Sequence, residues 1–204
     1  MDRNGEKLSV EVKLLTRAEA EARLDEMASL RINVFKDFPY IYDGSVQYEV
    51  KYLGRYLKAQ NAQFIGALNP ENQLVGLATC LPLSEEDNFV QKPFLDAGLN
   101  LDEIFYFGES ILLSKYRGQR IGHRFFDLRE QLAKNYGSNY ACFCAVKRPD
   151  EHRLKPKDYR PLDAFWKGRG YNKIENLKSF FEWKDLDEAN ETFKEMIYWM
   201  RSLK

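Results

Sequence analysis

Few side chains in this 204-residue chain combine chemical capacity with a spacing that would position them. The first group is Arg117-Gly118-Gln119-Arg120-Ile121-Gly122, followed by His123 and Arg124. Glycines in a short turn let the backbone approach a bulky group closely. A helix starting near Gly122 would add unpaired N–H groups and the positive end of its macrodipole, a setting suited to a diphosphate. Arg117, Arg120 and Arg124 put further positive charge at that end. The alternative is a plain turn with solvated arginines. The second candidate is Glu109, set within the apolar run Phe105 to Leu113. Strict alternation places it on the side of Phe105, Phe107, Ile111 and Leu113, and an apolar setting makes a carboxylate a better proton acceptor. Pairing with an arginine for structure alone is the other reading.

Two further groups are less sharply defined. The charged loop from Lys147 to Asp158 carries His152, a second candidate base acting through a water, or else a solvated loop histidine. Tyr40, Tyr42 and Asp43, with Tyr48 and Glu49 behind them, offer aromatic walls and carboxylates suited to a cation. A turn packed by its own tyrosines would look the same. Cys142 and Cys144 lie two apart in an apolar run and read as small core residues. They lack Cys-x₂-Cys spacing, so a metal site with His123 and His152 is not expected. A dinucleotide site of the Gly-x-Gly-x-x-Gly kind is excluded by the absence of that motif.

These residues need elements to hold them. Alternation over Leu8 to Leu15 predicts a half-buried strand, and Thr16 with Glu19 predicts a capping box opening a helix with Leu24, Met27, Ala28, Ile32 and Phe35 inward. Val46 to Gln60 predicts a second helix, with Val50, Leu53 and Leu57 inward. Gln63–Leu68 and Gln73–Leu83 flank the turn Asn69-Pro70-Glu71-Asn72, a hairpin signature. Phe105 to Leu113 reads as a strand buried on both faces, Gly122 to Tyr136 as a helix with Phe125, Leu128 and Leu132 inward, and Tyr140 to Val146 as another buried strand. Pro161 opens a short helix ending at Gly168. Tyr171–Ile174 and Ser179–Trp183 read as closing strands, and Glu188–Ser202 as a C-terminal amphipathic helix bearing Phe193, Met196, Ile197 and Met200. The result is a mixed α/β chain with antiparallel strands early and a β-α-β unit at its centre. One domain over residues 1–204 is expected, with a core from about 8 to 184.

Composition narrows the classes. Lys plus Arg and Asp plus Glu both total 31, so the net charge is zero and no nucleic-acid partner is expected. No window approaches the length of a membrane-spanning helix, and three cysteines form no disulfide framework, which together predict a cytoplasmic protein. Tyr198, Trp199 and Met200 on the expected last helix would pack on the core or on a second subunit, leaving a homodimer open.

The segment Leu113-Ser114-Lys115-Tyr116-Arg117-Gly118-Gln119-Arg120-Ile121-Gly122 resembles motif A of the GNAT acetyltransferases, an Arg or Gln followed by x-x-Gly-x-Gly or Ala. Arg117 and Gly122 match its fixed ends and Gly118 a frequent glycine, while Arg120 stands where the first Gly is usual. Phe165-Trp166-Lys167-Gly168-Arg169-Gly170-Tyr171 resembles the later segment, an aromatic on a short helix before Gly-Phe. The element order is similar from Leu8 to about Trp183. The resemblance implies a mostly antiparallel mixed sheet, splayed in the middle and flanked by helices. It also implies acetyl-CoA as co-substrate, without metal, and direct transfer to the amine of a small molecule. The coenzyme would meet Ile111, Leu112 and Leu113, whose backbone holds the thioester carbonyl, then residues 117–124 and Trp166. The acid in such proteins is commonly a Tyr at the position of Trp166, which has no proton to give. Tyr159 is the substitute. Two other readings stay open: a donor with a longer acyl chain, and an acyl-CoA-binding sensor without catalysis.

Overall fold

A computed structural model describes residues 9–204. Leu8, the first residue of the expected opening strand, lies outside them. Strand β1 (Glu11–Leu15) sends Val12 to the core on one face and Leu15 to the core on the other, while Leu14 is exposed. The capping box forms as expected: Glu19 N–H donates to the Thr16 hydroxyl at 3.2 Å, and Thr16 N–H to the Glu19 carboxylate at 2.7 Å. The helix it opens breaks at Arg23 into α1 (Arg17–Ala22) and α2 (Leu24–Phe35). Helix α3 (Val46–Lys58) starts at Ser45, whose hydroxyl accepts the Tyr48 N–H at 3.3 Å.

The hairpin β2 (Gln63–Leu68) and β3 (Leu74–Pro82) turns through Asn72, which takes a left-handed φ of 59°. A helix α4 (Asn88–Asp96) occupies the polar stretch before β4 (Ile104–Leu112). Helix α5 (Ile121–Tyr136) ends at Gly137 with φ 92°, the conformation glycine adopts most cheaply. It crosses over to β5 (Tyr140–Val146). Helix α6 (Asp163–Gly168) leads to β6 (Asn172–Trp183), a single strand with an irregularity between Ile174 and Lys178, where two strands were expected.

The last element corrects the sequence reading. Residues expected as an amphipathic helix over 188–202 form strand β7 (Thr192–Ser202). It lies between β5 and β6 and pairs antiparallel with both. Met196, Ile197, Tyr198 and Trp199 are all buried in succession, whereas Phe193 is 67% exposed. Four consecutive buried residues fit a strand covered on both faces, not a helix with one apolar stripe.

Among the described residues the sheet has seven strands in the order β1-β2-β3-β4-β5-β7-β6, all neighbours antiparallel except β4 and β5. One core cluster fills the face covered by α2, α3 and α4, including Met27, Leu53, Phe94 and Tyr198. Two others fill the α5 face, around Phe107, Phe126 and Trp199 and around Ile65, Ile121 and Phe125. No helix among the described residues is long and apolar enough to cross a membrane.

Candidate functional site

Strands β4 and β5 pair only at Ile104–Tyr140, Phe105–Ala141 and Tyr106–Cys142. Past Tyr106 they part, β4 staying with β3 and β5 with β7. The sheet therefore opens in its middle, and backbone of residues 107–112 faces the gap without a strand partner. Arg129 of α5 fills part of that edge. Its Nη1 donates to the Glu109 carbonyl at 3.2 Å and its Nη2 to the Ser110 hydroxyl at 3.4 Å. Burial pulls its guanidinium down to about 10. The rings of Phe107 and Phe126 lie 4.5 and 4.8 Å away.

The same stretch contains a β-bulge. Ala78 faces Ser110 and Cys80 faces Phe107, so Gly108 and Glu109 together oppose Thr79. One extra residue reverses the alternation beyond it. Phe105 and Phe107 pack on the α5 side, while Ile111 packs on the α2–α3 side, where Glu109 meets α2. Glu109 thus does not share a face with Phe105 and Phe107. Gly108 is required there: a Cβ would lie 2.5 Å from the Thr79 hydroxyl and 2.9 Å from the Tyr56 hydroxyl.

Glu109 sits in a charged setting, not an apolar one. Arg31 of α2 hydrogen-bonds its carboxylate, and so does the Thr79 hydroxyl. Thr79 also accepts the Glu109 N–H at 3.0 Å. Arg31 pairs simultaneously with Glu49 of α3, which is fully buried. Burial disfavours the Arg31 charge, but Glu109, Tyr52 and Glu49 outweigh it and hold the guanidinium above its ordinary value. The Tyr52 ring lies 4.3 Å from that guanidinium. Beside this cluster the Tyr56 hydroxyl donates to the half-buried Glu86, whose other oxygen accepts the Asp87 N–H at 2.9 Å. Burial pushes Glu86 up to about 7, against the pull of its hydrogen bonds. Tyr106 and Cys144 touch across the vertex of the gap, O to S 3.2 Å.

Sequence reasoning did not single out Arg31, Tyr52, Tyr56, Glu86 or Tyr106. On α3 a signal existed: Glu49, Leu53 and Tyr56 follow helical spacing and are its buried residues, with Val50, Tyr52 and Leu57 partly buried against the same core. Glu86 sits at the end of a single 3₁₀ turn and carried no periodic signal.

Below the gap lies the start of α5. Gly118 has φ 77° with nothing within 4 Å of a Cβ placed there, and a Cβ on Gly122 would meet only Phe165, at 3.7 Å. Arg120 takes the left-handed conformation, φ 63°, that a glycine would supply, so the turn keeps its course without one. The first bond of the helix runs from Arg124 N–H to the Arg120 carbonyl at 3.2 Å, leaving the N–H groups of Ile121, Gly122 and His123 ahead of the ladder. The Gln119 amide nitrogen is buried without a partner among the described residues. This cradle of open glycines, free donors and an orphaned amide fits an anionic diphosphate. Other expected contacts are engaged elsewhere. Arg124 donates to the Val10 carbonyl at 3.1 Å, Arg117 Nε to the Leu112 carbonyl at 3.3 Å, and Leu113 N–H to the Val75 carbonyl at 3.0 Å. His123 stacks edge-on against Phe165, 4.9 Å between rings.

Trp166 packs against Phe143 and Trp199, each 5.1 Å between rings, and offers no acid. Tyr159 and His152 come together around Phe38, at 4.7 and 5.7 Å. His152 Nδ1 accepts the Leu154 N–H of its own loop at 3.2 Å. That loop is tied down: Arg148 holds the carbonyls of Pro39 and Tyr40 at 2.7 and 2.8 Å and pairs with Asp185. Tyr40 lies beside Phe35, 4.5 Å between rings. Burial first and the neighbouring Glu49 next push the half-buried Tyr42 phenol upward. Asp43 is turned to the surface, where its carboxylate takes the Lys184 ammonium at 2.7 Å. A surface hollow between α4 and β6, lined by Phe89, Pro93 and Phe180 among others, belongs to other strands than the gap.

A mixed sheet opened between two parallel strands, with a glycine-bearing helix start beneath, is the GNAT acetyltransferase fold, as the motif implied. Solved structures agree. A GNAT-family acetyltransferase from Staphylococcus aureus Mu50 is similar over 96% of this chain and 100% of its own, with TM-score 0.55 and 16% identity. A protein from Salmonella typhimurium, assigned as an acetyltransferase and solved with its cofactor acetyl-CoA, matches 96% of this chain and 95% of its own at TM-score 0.58 and 6% identity. An aminoglycoside 6′-acetyltransferase of type Ii matches 95% and 97%, TM-score 0.58, at 12% identity. No family model and no curated protein matches the sequence. At such identities the likeness establishes the fold.

Proposed function

We propose that this protein is an acetyl-CoA-dependent N-acetyltransferase acting on the amine of a small molecule. The observation that carries the reading is the coincidence of two features: the gap between β4 and β5, and the open, donor-lined stretch of residues 117–123 that leads into and opens α5. Two proteins of this fold supply precedent, one holding acetyl-CoA and one named for an aminoglycoside.

The N–H groups of Ile121, Gly122 and His123, with Gly118, Gln119 and Arg120, would hold the diphosphate. The backbone of Ile111 and Leu112 would border the pantetheine arm. Acetyl-CoA brings an activated acyl group; the chain's task is to orient it and supply an uncharged amine. On the α2–α3 face two carboxylates, Glu49 and Glu109, share one guanidinium, Arg31, and a third, Glu86, lies beside them against Tyr56. With Tyr40, Tyr42 and Tyr52 as walls, this excess of negative charge favours a cationic acceptor. Glu109 orients Arg31 and frames the pocket. Tyr159 and His152 stand at the pocket's outer rim, where Arg148 fastens their loop to Tyr40.

Calorimetry with CoA and acetyl-CoA is the first test, followed by thiol release across a panel of amines. Binding with amine-dependent release supports the enzyme. Binding without release for any amine would make the protein an acyl-CoA sensor, a reading favoured by Trp166 standing at the usual acid position. Competition by longer acyl-CoAs reports the donor. Absence of any heat removes the reading.

A further inference from the structure

The geometry points to Glu86, acting through the Tyr56 hydroxyl, as the group that takes the proton from the incoming ammonium; this rests on the acetyltransferase reading. Glu109 is the carboxylate nearest the gap in sequence terms, yet both its oxygens are engaged, one by Arg31 and one by Thr79. Accepting a proton would cost it a buried ion pair. Glu86 is different. Its polar partners are the Tyr56 hydroxyl and one backbone N–H, and among the described residues no cation pairs with it.

Tyr56 links it to the reaction zone. The nearest atoms to a Cβ placed on Gly108 are the Thr79 hydroxyl and the Tyr56 hydroxyl, the latter at 2.9 Å. That hydroxyl therefore rests on the bulge of β4, just past the last pair between β4 and β5. Tyr52 O lies 3.4 Å from Tyr56 O and continues the chain of hydroxyls toward Arg31.

The proton step balances simply. An N–H bond of the acceptor ammonium breaks, its electron pair staying on nitrogen, and the proton goes to the Tyr56 oxygen. The Tyr56 proton passes to Glu86 Oε1. A cation and a carboxylate become a neutral amine, an unchanged phenol and a neutral carboxylic acid.

The surroundings suit a group titrating near neutrality. From α3, Tyr52, Tyr56 and Arg55 face Glu86, Arg55 itself being paired with Asp87. Asp87 beside it and Glu109 on β4 repel its charge. Tyr106 on β4, Cys142 and Cys144 on β5 and Tyr198 on β7 complete the shell, all neutral at that pH by their ordinary values, which burial raises further. Burial is the largest influence on Glu86 itself.

The test uses the whole chain, an amine that the wild type acetylates, and kcat/KM across pH. The wild type should rise to a plateau with an inflection near neutrality. Glu86→Gln, which keeps an acceptor for Tyr56, should lose about 100-fold at the plateau and lose the inflection, with acetyl-CoA affinity retained. Tyr56→Phe should lose rate comparably while Glu86 still titrates, read by carbon NMR of labelled glutamate carboxyls. Wild-type rate and inflection in Glu86→Gln would overturn the proposal. Should that variant fail to fold, Tyr56→Phe at full rate with an unchanged inflection does the same. The NMR titration needs no substrate: a wild type without a carboxyl titrating near neutrality that Glu86→Gln removes also overturns it. A wild type that shows this titration but releases no thiol with any amine fails as an acetyltransferase instead.

Discussion

At the scale of single residues, the charged cluster of Arg31, Glu49 and Glu109 is where stability and chemistry meet. Arg31 is 8% exposed and pairs with two buried carboxylates at once. Arg31→Met keeps an apolar stem of similar shape but strands both acids, so a loss of about 3–5 kcal/mol is expected in denaturant melts. A loss below about 1 kcal/mol would show that the carboxylates find water or each other's protons. Glu86 makes a different prediction. Its carboxyl titrates at about 7 in the fold against an ordinary 4.5. The folded state then binds more protons than the unfolded one between those values. The contribution is fully present below about pH 4.5 and is lost as pH rises through about 7. Melts at about pH 5 and about pH 8 should therefore differ more for the wild type than for Glu86→Gln, and equal differences would contradict the assignment.

At the scale of elements, the turn before α5 separates binding from folding. A Cβ at Gly122 has room, with Phe165 at 3.7 Å as its only neighbour. Gly122→Glu should accordingly melt like the wild type but bind CoA much more weakly, because a carboxylate would stand where the free N–H groups point. Unchanged affinity would refute the mapped cradle. Arg120 carries opposite signs for the two properties. Its left-handed φ of 63° strains any residue with a side chain, so Arg120→Gly should gain up to about 1 kcal/mol of stability. The same change should cost CoA affinity in a salt-dependent way if its guanidinium meets a phosphate. A stabilised variant with unaltered affinity would leave Arg120 with a backbone role only.

At the scale of the whole molecule, β7 closes the sheet. It bridges β5 and β6, and Trp199 on it is 2% exposed, stacked parallel to Phe143 at 6.4 Å and touching Trp166. Truncating that ring opens a cavity next to β5, one wall of the gap. Trp199→Ala should cost about 3–5 kcal/mol and lower acetyl-CoA affinity among the molecules that remain folded. A stable variant with full affinity would mean that β5 is fixed without its neighbour.

What the chain states locally was legible in its sequence. The capping box at Thr16 and Glu19, the turn at Asn69 to Asn72, strand β5 and the glycine-bearing turn before α5 all follow from short-range chemistry: a hydroxyl with a carboxylate three residues on, turn formers between apolar runs, free N–H groups at a helix start. The GNAT-like order could be read from these because each is decided within a few residues. Long-range decisions were not available there. Thr192–Ser202 became a strand because two neighbours supplied its hydrogen bonds and covered both its faces. Glu109 changed faces because one extra residue at Gly108 reversed the alternation, and that bulge exists only relative to Thr79 on the partner strand. Glu86 met Tyr56 of α3, 30 residues away, because a one-turn 3₁₀ helix after β3 set it there. Local propensity fixes what a segment can be; the burial and pairing that choose its neighbours arise only when distant segments meet.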